Sequence, residues 1–540
     1  MKKPGVAALC LVLVMASPAW AQQHEEHAAP SADQIGSTSV RFETSCAAAV
    51  RDDFNAAVAM LHSFWFPEAI KTFQGVAGRD PSCALAHWGT AMAQWGNPFG
   101  GLKSAEIVQR GKATIDKALT LGAEASAKAA GSPTPRERAL IEAAAILFSS
   151  PAAGTQRDRV VRYEEAMRRL AERNPRDAEI RIFYGLAVTQ TAVPTDKTYA
   201  KQIQAAAILE PLFKAMPTHP GLAHYIIHAY DAPPLAEKGL AAARRYASIA
   251  PAVPHALHMP SHTFTRVGSW KESIETNRRS AEAARKSGGP GEELHALDYQ
   301  TYAFLQIGQD KAARAVVDRA ASLQNAPGAN SFAIAAIPAR YALERGDWAA
   351  AAALPVLPAA NTPYTEAMTH FARAVGAARS GTPEDSSPDI ARLGELRDKL
   401  RSMQDAYWAE QVDIQLRVAS AWRAFASGRR EDGIALLRAA ADVEDATDKA
   451  AVTPGPLAPA RELLGFMLLE AGRPKEALAA FEATTRKEPN RFLGTYGAAR
   501  AAEATGDRGT AGRYYTLLLA IARDADSERP ELIRAKSFSR

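Results

Sequence analysis

Residues 465–489, GFMLLEAGRPKEALAAFEATTRKEP, decide the fold of this chain. A glycine, an alanine, an aromatic residue and a proline follow one another here at intervals of 12, 4 and 8 residues: Gly465, Ala477, Phe481 and Pro489. Small residues let two neighbouring helices approach, the aromatic ring fills the gap, and the proline ends the second helix. The stretch therefore predicts a helix-turn-helix unit with a defined interior.

The same frame occurs elsewhere in the chain. Ala511 and Tyr515 repeat the alanine and the aromatic residue 34 positions later, and Ala69, Phe73 and Pro81 have the same spacing near the start. A 34-residue period of this form is the signature of the tetratricopeptide repeat, or TPR. The chain resembles exported bacterial TPR proteins over nearly all of its mature length. This resemblance implies an all-α, right-handed superhelical solenoid with a protein or peptide partner in its concave groove.

Composition agrees with a helical chain. Apolar residues recur at intervals of three and four from about Phe42 onward, without a convincing alternating strand pattern. The chain is 47% hydrophobic but only 7% aromatic, which suits closely stacked helices. A net charge of +5, without a dense basic block, gives no reason to expect nucleic acid as a partner. After the N-terminus, no stretch reaches the ~18 apolar residues that a membrane span needs.

The N-terminus has the form of a secretory signal peptide over residues 1–21. Two lysines precede an apolar run that ends in the small-x-small sequence Ala19-Trp20-Ala21. We therefore expect a periplasmic or secreted mature protein. Residues 22–40 are polar and without periodicity, and they predict a flexible leader.

Two cysteines follow the signal peptide, Cys46 and Cys83. An even pair in an oxidising compartment favours a disulfide. Their separation is close to one repeat, which would place them at similar heights on neighbouring helices. The alternative is a pair of buried free thiols.

Gly-, Pro- and Ser-rich stretches divide the helical chain into parts. The predicted parts are an N-terminal TPR-like array at 41–379, a loop at 380–390, a helical connector at 391–449, C-terminal TPR units at 450–525 and a charged tail at 526–540.

Six of the twelve histidines fall within residues 219–262. His224 and His228 are four residues apart, His258 and His262 are also four apart, and the two pairs are offset by 34. Four apart places two rings on one helical face. Because the offset equals the repeat period and packed helices lie ~8–10 Å apart, the two pairs are predicted to converge.

In the TPR proteins that this chain resembles, positions two, five, nine and twelve of the first helix face the groove. His255 takes position two and Asp231 position twelve, while the two histidine pairs take positions five and nine. Imidazole is the usual ligand for Zn, Cu and Ni. The predicted metal ligands are therefore His224, His228, His255, His258 and His262. Asp231 and His295 are predicted to bind a ligand in the same groove. His295 lies at the start of the first helix of the next repeat, and such first helices are here called first-type helices.

Two further expectations concern single residues. Pro260 lies between His258 and His262, and it disfavours a helical conformation at Met259, so that helix is expected to kink or to begin there. Three other histidines stand alone in the sequence and are interpreted as ordinary core or surface residues: His62, His87 and His370.

Three hypotheses of function remain open at this stage. The first is a periplasmic TPR protein whose histidine-lined groove binds Zn or Cu, a protein or peptide, or both. The second is a metal-dependent enzyme, either a zinc hydrolase or a copper oxidoreductase, with one or two metal ions. The third is a scaffold for envelope assembly with incidental histidines. A hydrolase needs a general base beside an open metal position, and Asp231 is the carboxylate that the sequence places there.

Overall fold

The computed structural model describes residues 30–124, 132–150, 154–357 and 362–538. Within these ranges the chain consists of α-helices, short 3-10 turns and connecting segments, and it contains no β-strand. The predicted signal peptide lies outside the described residues. The all-α fold class is confirmed.

The helices follow one another along the whole described chain. They are α1 (Ala32–Ile35), α2 (Arg51–His62), α3 (Phe66–Arg79), α4 (Ala84–Trp95), α5 (Ala105–Glu124), α6 (Pro135–Leu147), α7 (Gln156–Arg173), α8 (Ala178–Gln190), α9 (Ala200–Ala215), α10 (Pro220–Ala229), α11 (Leu240–Ile249), α12 (Pro254–His258), α13 (Pro260–Arg266), α14 (Trp270–Lys286), α15 (Pro290–Gln306), α16 (Asp310–Ser322), α17 (Ser331–Glu344), α18 (Trp348–Ala352), α19 (Pro363–Arg379), α20 (Ser387–Ser402), α21 (Ala406–Ala426), α22 (Arg430–Ala446), α23 (Ala460–Glu470), α24 (Pro474–Lys487), α25 (Phe492–Ala504), α26 (Arg508–Ile521) and α27 (Pro530–Phe538).

Neighbouring helices pack in helix-turn-helix units that stack into a right-handed TPR-like solenoid, as predicted. Phe481 of α24 shows why the repeat needs small residues. A Cβ atom on Gly465 would lie 2.7 Å from its ring, and one on Gly497 would lie 2.2 Å from it. Helices α23 and α25 therefore reach this buried ring only because each presents a glycine.

The C-terminal units pack back on the central ones. Trp270 of α14 donates a hydrogen bond from Nε1 to the carbonyl of Asn490, at 2.8 Å. Arg491 is fully buried, binds both carboxylate oxygens of Glu462 at 2.8 Å and donates to the Tyr302 hydroxyl of α15 at 3.1 Å. These contacts hold the C-terminal units against the central part of the repeat array.

A non-helical segment at residues 447–459, here called the strap, connects α22 to α23. The Asp448 backbone N–H donates to the Pro194 carbonyl at 3.0 Å, and Arg340 of α17 donates to the Pro456 carbonyl at 2.9 Å. The strap therefore touches repeats that are far apart in sequence. The sequence placed the start of the C-terminal TPR units at residue 450, within the strap. In the structure these units begin only with α23.

The predicted flexible leader is wrong over residues 30–40. Ile35 at the end of α1 and Val40 are buried, and the Gln34 carbonyl accepts a hydrogen bond from the Ala252 backbone N–H at 3.0 Å. Two apolar residues in an otherwise polar stretch anchor it against α11 and the turn that follows. Residues 22–29 lie outside the described part of the chain.

Two other predicted boundaries also shift. The predicted loop at 380–390 contains a 3-10 turn at Pro383–Ser386 and the start of α20 at Ser387. Its buried side chains are polar, Ser386 and Asp389. The predicted tail at 526–540 contains α27, whose Leu532 and Ala535 are buried against the last repeat.

Cys46 and Cys83 form a disulfide with Cα atoms 4.8 Å apart, the pairing that the sequence favoured. It joins the segment before α2 to the start of α4. Among the described residues, no helix is both long and apolar enough to span a membrane.

We predict that Gly497→Ala destabilises the C-terminal repeats by about 1–3 kcal/mol, because the new methyl group overlaps the Phe481 ring. Urea denaturation followed by circular dichroism measures this change. Gly509→Ala is the matched control, since its Cβ would meet no atom closer than 3.6 Å and alanine favours a helix. Equal stabilities of the two variants would contradict the packing argument.

Candidate metal centre

Three consecutive first-type helices carry histidines to one place in the solenoid. Helices α10, the pair α12–α13 and α15 bring six imidazoles together in two groups. We call them set A, with His224, His228 and His255, and set B, with His258, His262 and His295. Within each set, one ring nitrogen from each residue lies within 4.8 Å of the others. His295, predicted as a ligand-binding residue, thus stands among the imidazoles of set B.

Set A has the spacing of ligands around one ion. His224 Nε2 lies 3.1 Å from His228 Nε2 and 3.2 Å from His255 Nε2. Nitrogen ligands at 2.0–2.1 Å from a tetrahedral ion are about 3.3 Å from one another. The helical i, i+4 pair supplies two of the rings, and the next repeat supplies the third.

In set B, His258 Nε2 and His262 Nε2 are 3.0 Å apart. The helix divides at Met259, as expected from Pro260, but Met259 itself keeps helical angles of φ −54° and ψ −35°. The expectation of an extended Met259 is therefore wrong. Pro260 opens α13, where its missing N–H is not needed, and the i, i+4 geometry of the pair survives.

The two sets lie side by side. The ring centroids of His228 and His262 are 5.9 Å apart, and those of His255 and His258 are 6.0 Å apart. A cavity of about 540 Å³ opens onto both sets. Its histidine lining comprises His228, His255, His262 and His295.

The outer nitrogens of set B are hydrogen-bonded in a way that fixes both tautomers. His258 Nδ1 donates to Asn277 Oδ1 at 2.7 Å, and Asn277 is oriented because its Nδ2 donates to the Ser273 carbonyl at 2.8 Å. His262 Nδ1 donates to Asp231 Oδ2 at 2.8 Å. A neutral imidazole that donates through Nδ1 has no hydrogen on Nε2. Both inward-facing nitrogens therefore carry lone pairs.

Two lone pairs that face each other at 3.0 Å repel unless a cation lies between them. The Tyr299 hydroxyl is 3.3 Å from His262 Nε2, but its single hydrogen has closer acceptors in the Ala451 and Thr453 carbonyls of the strap, each at 3.1 Å. A buried polar group without a partner is costly. Set B therefore has the arrangement of a preformed cation site.

Set A is oriented from the other side. His224 Nδ1 donates at 2.6 Å to the carbonyl of His62, the last residue of α2, where helix carbonyls lack an intrahelical partner. Its Nε2 then presents one lone pair to both His228 and His255. One lone pair accepts one hydrogen bond well, so it cannot serve both neighbouring rings. A metal ion between the three rings can bind one nitrogen of each, which suits this arrangement better than hydrogen bonds do.

Burial favours the neutral form, which binds metals, in five of the six imidazoles. It lowers the pKa of His224, His228 and His258 well below the usual 6.5. It also lowers the pKa of His262 to about 4, against the opposing effect of Asp231, and that of His295 to about 3.

Asp231 accepts a hydrogen bond from the outer nitrogen of His262, and it also lines a second cavity, of about 430 Å³, together with His228 and Lys449. Besides His262, it accepts hydrogen bonds from Arg266 Nε at 2.8 Å and from Lys449 Nζ of the strap at 3.2 Å. Burial alone would raise the pKa of Asp231, but Lys449 and Arg266 outweigh it and hold that pKa well below its usual range. Both oxygens are engaged, so Asp231 is not the free general base that a hydrolase needs.

His62 is buried, but it does not stand alone as the sequence suggested. Its Nε2 lies 2.9 Å from Glu179 Oε2, while His219 Nε2 lies 3.0 Å from the other oxygen of that carboxylate. A Cβ on Gly221 would be 2.6 Å from the His62 ring, so this glycine admits the imidazole against α10. The cluster fixes α2, α8 and α10 relative to one another and thereby places the carbonyl that orients His224.

Sequence reasoning missed two residues that shape the centre, Asn277 and Lys449. Asn277 lies on the second helix of its repeat, and Lys449 lies in the strap, 154 residues after His295, the last histidine of the centre. Neither belongs to a spacing pattern in the sequence. His87 and His370 lie in neither set.

No protein-family model matches the chain, and no curated protein matches it. Similar solved structures include yeast Tom70, with 11% identity over 91% of this chain and 88% of that one and a TM-score of 0.28. Human IFIT1, in a dimer with PPP-AAAA, has 11% identity over 90% and 94%, with a TM-score of 0.37. Cut9-Hcn1, an APC/C hetero-tetramer, has 12% identity over 90% of each chain and a TM-score of 0.33. Likenesses of this size assign the chain no ligand and no activity.

We predict that the metal-free protein loses stability as the pH falls below about 6.5. The unfolded His295 imidazole takes up a proton near pH 6.5, whereas burial lowers its folded pKa to about 3. His295→Gln removes this difference. As the pH falls, the free energy of unfolding of the variant should therefore decrease less steeply than that of the wild type, and the two slopes should differ by up to about 1.4 kcal/mol per pH unit. Urea denaturation of both proteins at about pH 7, 6 and 5 measures the slopes. Parallel slopes would show that His295 is protonated equally in both states.

Proposed function

We propose that the protein is an exported TPR-like protein that binds two transition-metal ions, one in each histidine set, with Zn and Cu as the candidate metals. The observation that supports this most directly is the 3.0 Å approach of the unprotonated Nε2 atoms of His258 and His262. Their tautomers are fixed by Asn277 and Asp231, and hydrogen bonds of this kind to the outer nitrogen are typical of metal-binding histidines.

The number of ligands favours a reactive centre over a purely structural one. Structural zinc sites have four protein ligands, whereas catalytic sites have three and keep one position for water or substrate. Each set here offers three imidazoles, and both open onto a cavity of about 540 Å³, which is large enough for a small organic molecule.

A metal-dependent enzyme is therefore the second candidate, and the cavity is the observation that favours it. For a zinc hydrolase, Asp231 is unsuitable because its oxygens are occupied. Glu292 is the carboxylate among the described residues that line the cavity, and its Oε2 lies 3.8 Å from His255 Nδ1 with the side chain 44% exposed. It takes the place of Asp231 as the candidate general base.

A protein or peptide partner in the groove stays a prediction. The strap lies against the inner helices where such a ligand is expected, and Ala451 and Val452 form a wall of the cavity. The geometry thus supports a small ligand at the histidine sets more strongly than an extended peptide beside them.

The metal stoichiometry of the purified mature protein tests the proposal. After reconstitution with Zn or Cu and removal of weakly bound metal, elemental analysis should give two equivalents. His224→Asn should lose the ion of set A, His258→Asn that of set B, and the double variant both.

His87→Asn is the matched control, since this histidine belongs to neither set, and it should retain both ions. Helical circular dichroism establishes that each variant is folded. A wild-type protein that stays metal-free with both metals, while folded, would overturn the proposal.

We further propose export, which rests on the signal-like N-terminus and on the disulfide between Cys46 and Cys83. Expressed in a bacterium with a periplasm, the protein should be released by osmotic shock with Gln22 as its first residue. N-terminal sequencing and a thiol count measure both expectations. An uncleaved protein with two free thiols, retained in the cytoplasm, would contradict export.

A further inference from the structure

We infer that sets A and B together hold a pair of copper ions, which are bound as Cu(I) when the copper is in its reduced state. This inference rests on the proposed function and goes beyond it by naming the metal, its oxidation state and the pairing of the two ions. Three independent observations support it: the charge of the donors, the closeness of the sets and the chemistry of the surroundings.

The donor set carries no charge of its own. Among the described residues, each set consists of three histidines, without a carboxylate or a thiolate among the clustered ligand atoms. An imidazole that binds a metal through one ring nitrogen is neutral, so the ligands supply no negative charge. Glu292 lines the same cavity but lies outside both ligand sets, with its Oε2 3.8 Å from His255 Nδ1. Two dications would therefore bring four positive charges to neutral ligands, whereas two Cu(I) ions bring two.

The sets are so close that the charges of the two ions interact. His228 of set A and His262 of set B have ring centroids 5.9 Å apart, so ions bound inside the two triangles are a few ångströms from each other. Coulomb repulsion scales with the product of the charges, and it is about fourfold weaker between two monovalent ions than between two divalent ions at equal separation. Dinuclear centres of divalent ions need anionic groups to offset this repulsion.

The surroundings add positive charge near set B. Asp231, which supports His262, is itself paired with two cations, Arg266 and Lys449. The carboxylate is therefore already neutralised, and it offers little compensation to a dication.

A soft donor is also present beside the sets. Met259 is fully buried and lines the same cavity, and it lies four residues after His255 and three before His262, on the same helical side. Imidazole binds both zinc and copper, whereas a thioether selects Cu(I). The combination of neutral imidazoles and a thioether favours Cu(I) over Zn(II).

The metal preference is tested by an anaerobic competition with the full mature protein. The zinc-loaded protein receives Cu(I) from its coloured bicinchoninate complex, and elemental analysis follows desalting. We expect two equivalents of copper and loss of the zinc. Retention of two zinc ions against equimolar Cu(I) would overturn the copper inference while leaving the proposed metal binding intact; binding of neither metal would overturn both.

The pairing is tested by oxidation of the copper-loaded protein with ferricyanide. Each Cu(I) gives one electron to one ferricyanide, which becomes ferrocyanide, so two equivalents should be consumed as two Cu(II) ions form. Two Cu(II) spins a few ångströms apart couple magnetically, so the electron paramagnetic resonance spectrum should be broadened relative to that of isolated Cu(II) and should show a half-field transition.

The variants His224→Asn and His258→Asn, each with one set intact, supply the reference. Each should consume one equivalent of ferricyanide and show the full signal of one isolated Cu(II). The wild-type measurement alone remains decisive if a variant does not fold. A wild-type spectrum of two non-interacting Cu(II) ions, without broadening or a half-field transition, would overturn the pairing.

Discussion

The centre of this protein depends on hydrogen bonds to the outer nitrogens of its imidazoles. His224 is tied through Nδ1 to the end of α2, His258 to Asn277, and His262 to Asp231. Each bond turns the opposite nitrogen inward without its hydrogen. Because the rings are buried and neutral, few water molecules can donate hydrogen bonds to their lone pairs. A bound cation would take the place of those hydrogen bonds.

The solenoid supplies the stiffness that this arrangement needs. Stacked first-type helices repeat the same inner positions, so histidines from three repeats meet at one place. The return of the C-terminal units onto the central ones, through Trp270 and the buried Arg491, restricts the superhelix from opening. The strap then reaches the centre itself, because Lys449 pairs with the carboxylate that holds His262. The strap thus contributes to a cluster whose histidines all lie at least 154 positions before Lys449 in the sequence.

Much of this organisation could be predicted from spacing. The 34-residue period predicted the fold, the duplicated i, i+4 pairs predicted four of the six clustered histidines, and the repeat frame added His255. The role of Asp231 could not be predicted, since its partners Arg266 and Lys449 are recognisable only in three dimensions. The leader was mistaken for a flexible segment because two buried side chains, Ile35 and Val40, order it against a distant helix.

By itself, then, the sequence determined the helical repeat and the face on which the histidines lie, because both follow from short-range periodicity. Tertiary structure alone decided that the imidazoles divide into two sets of three, that His295 completes the second, and that the strap and Asn277 fix the geometry around it. These contacts join residues on different helices and, for the strap, residues about 200 positions apart. Only the packing of the solenoid brings such residues within hydrogen-bonding distance.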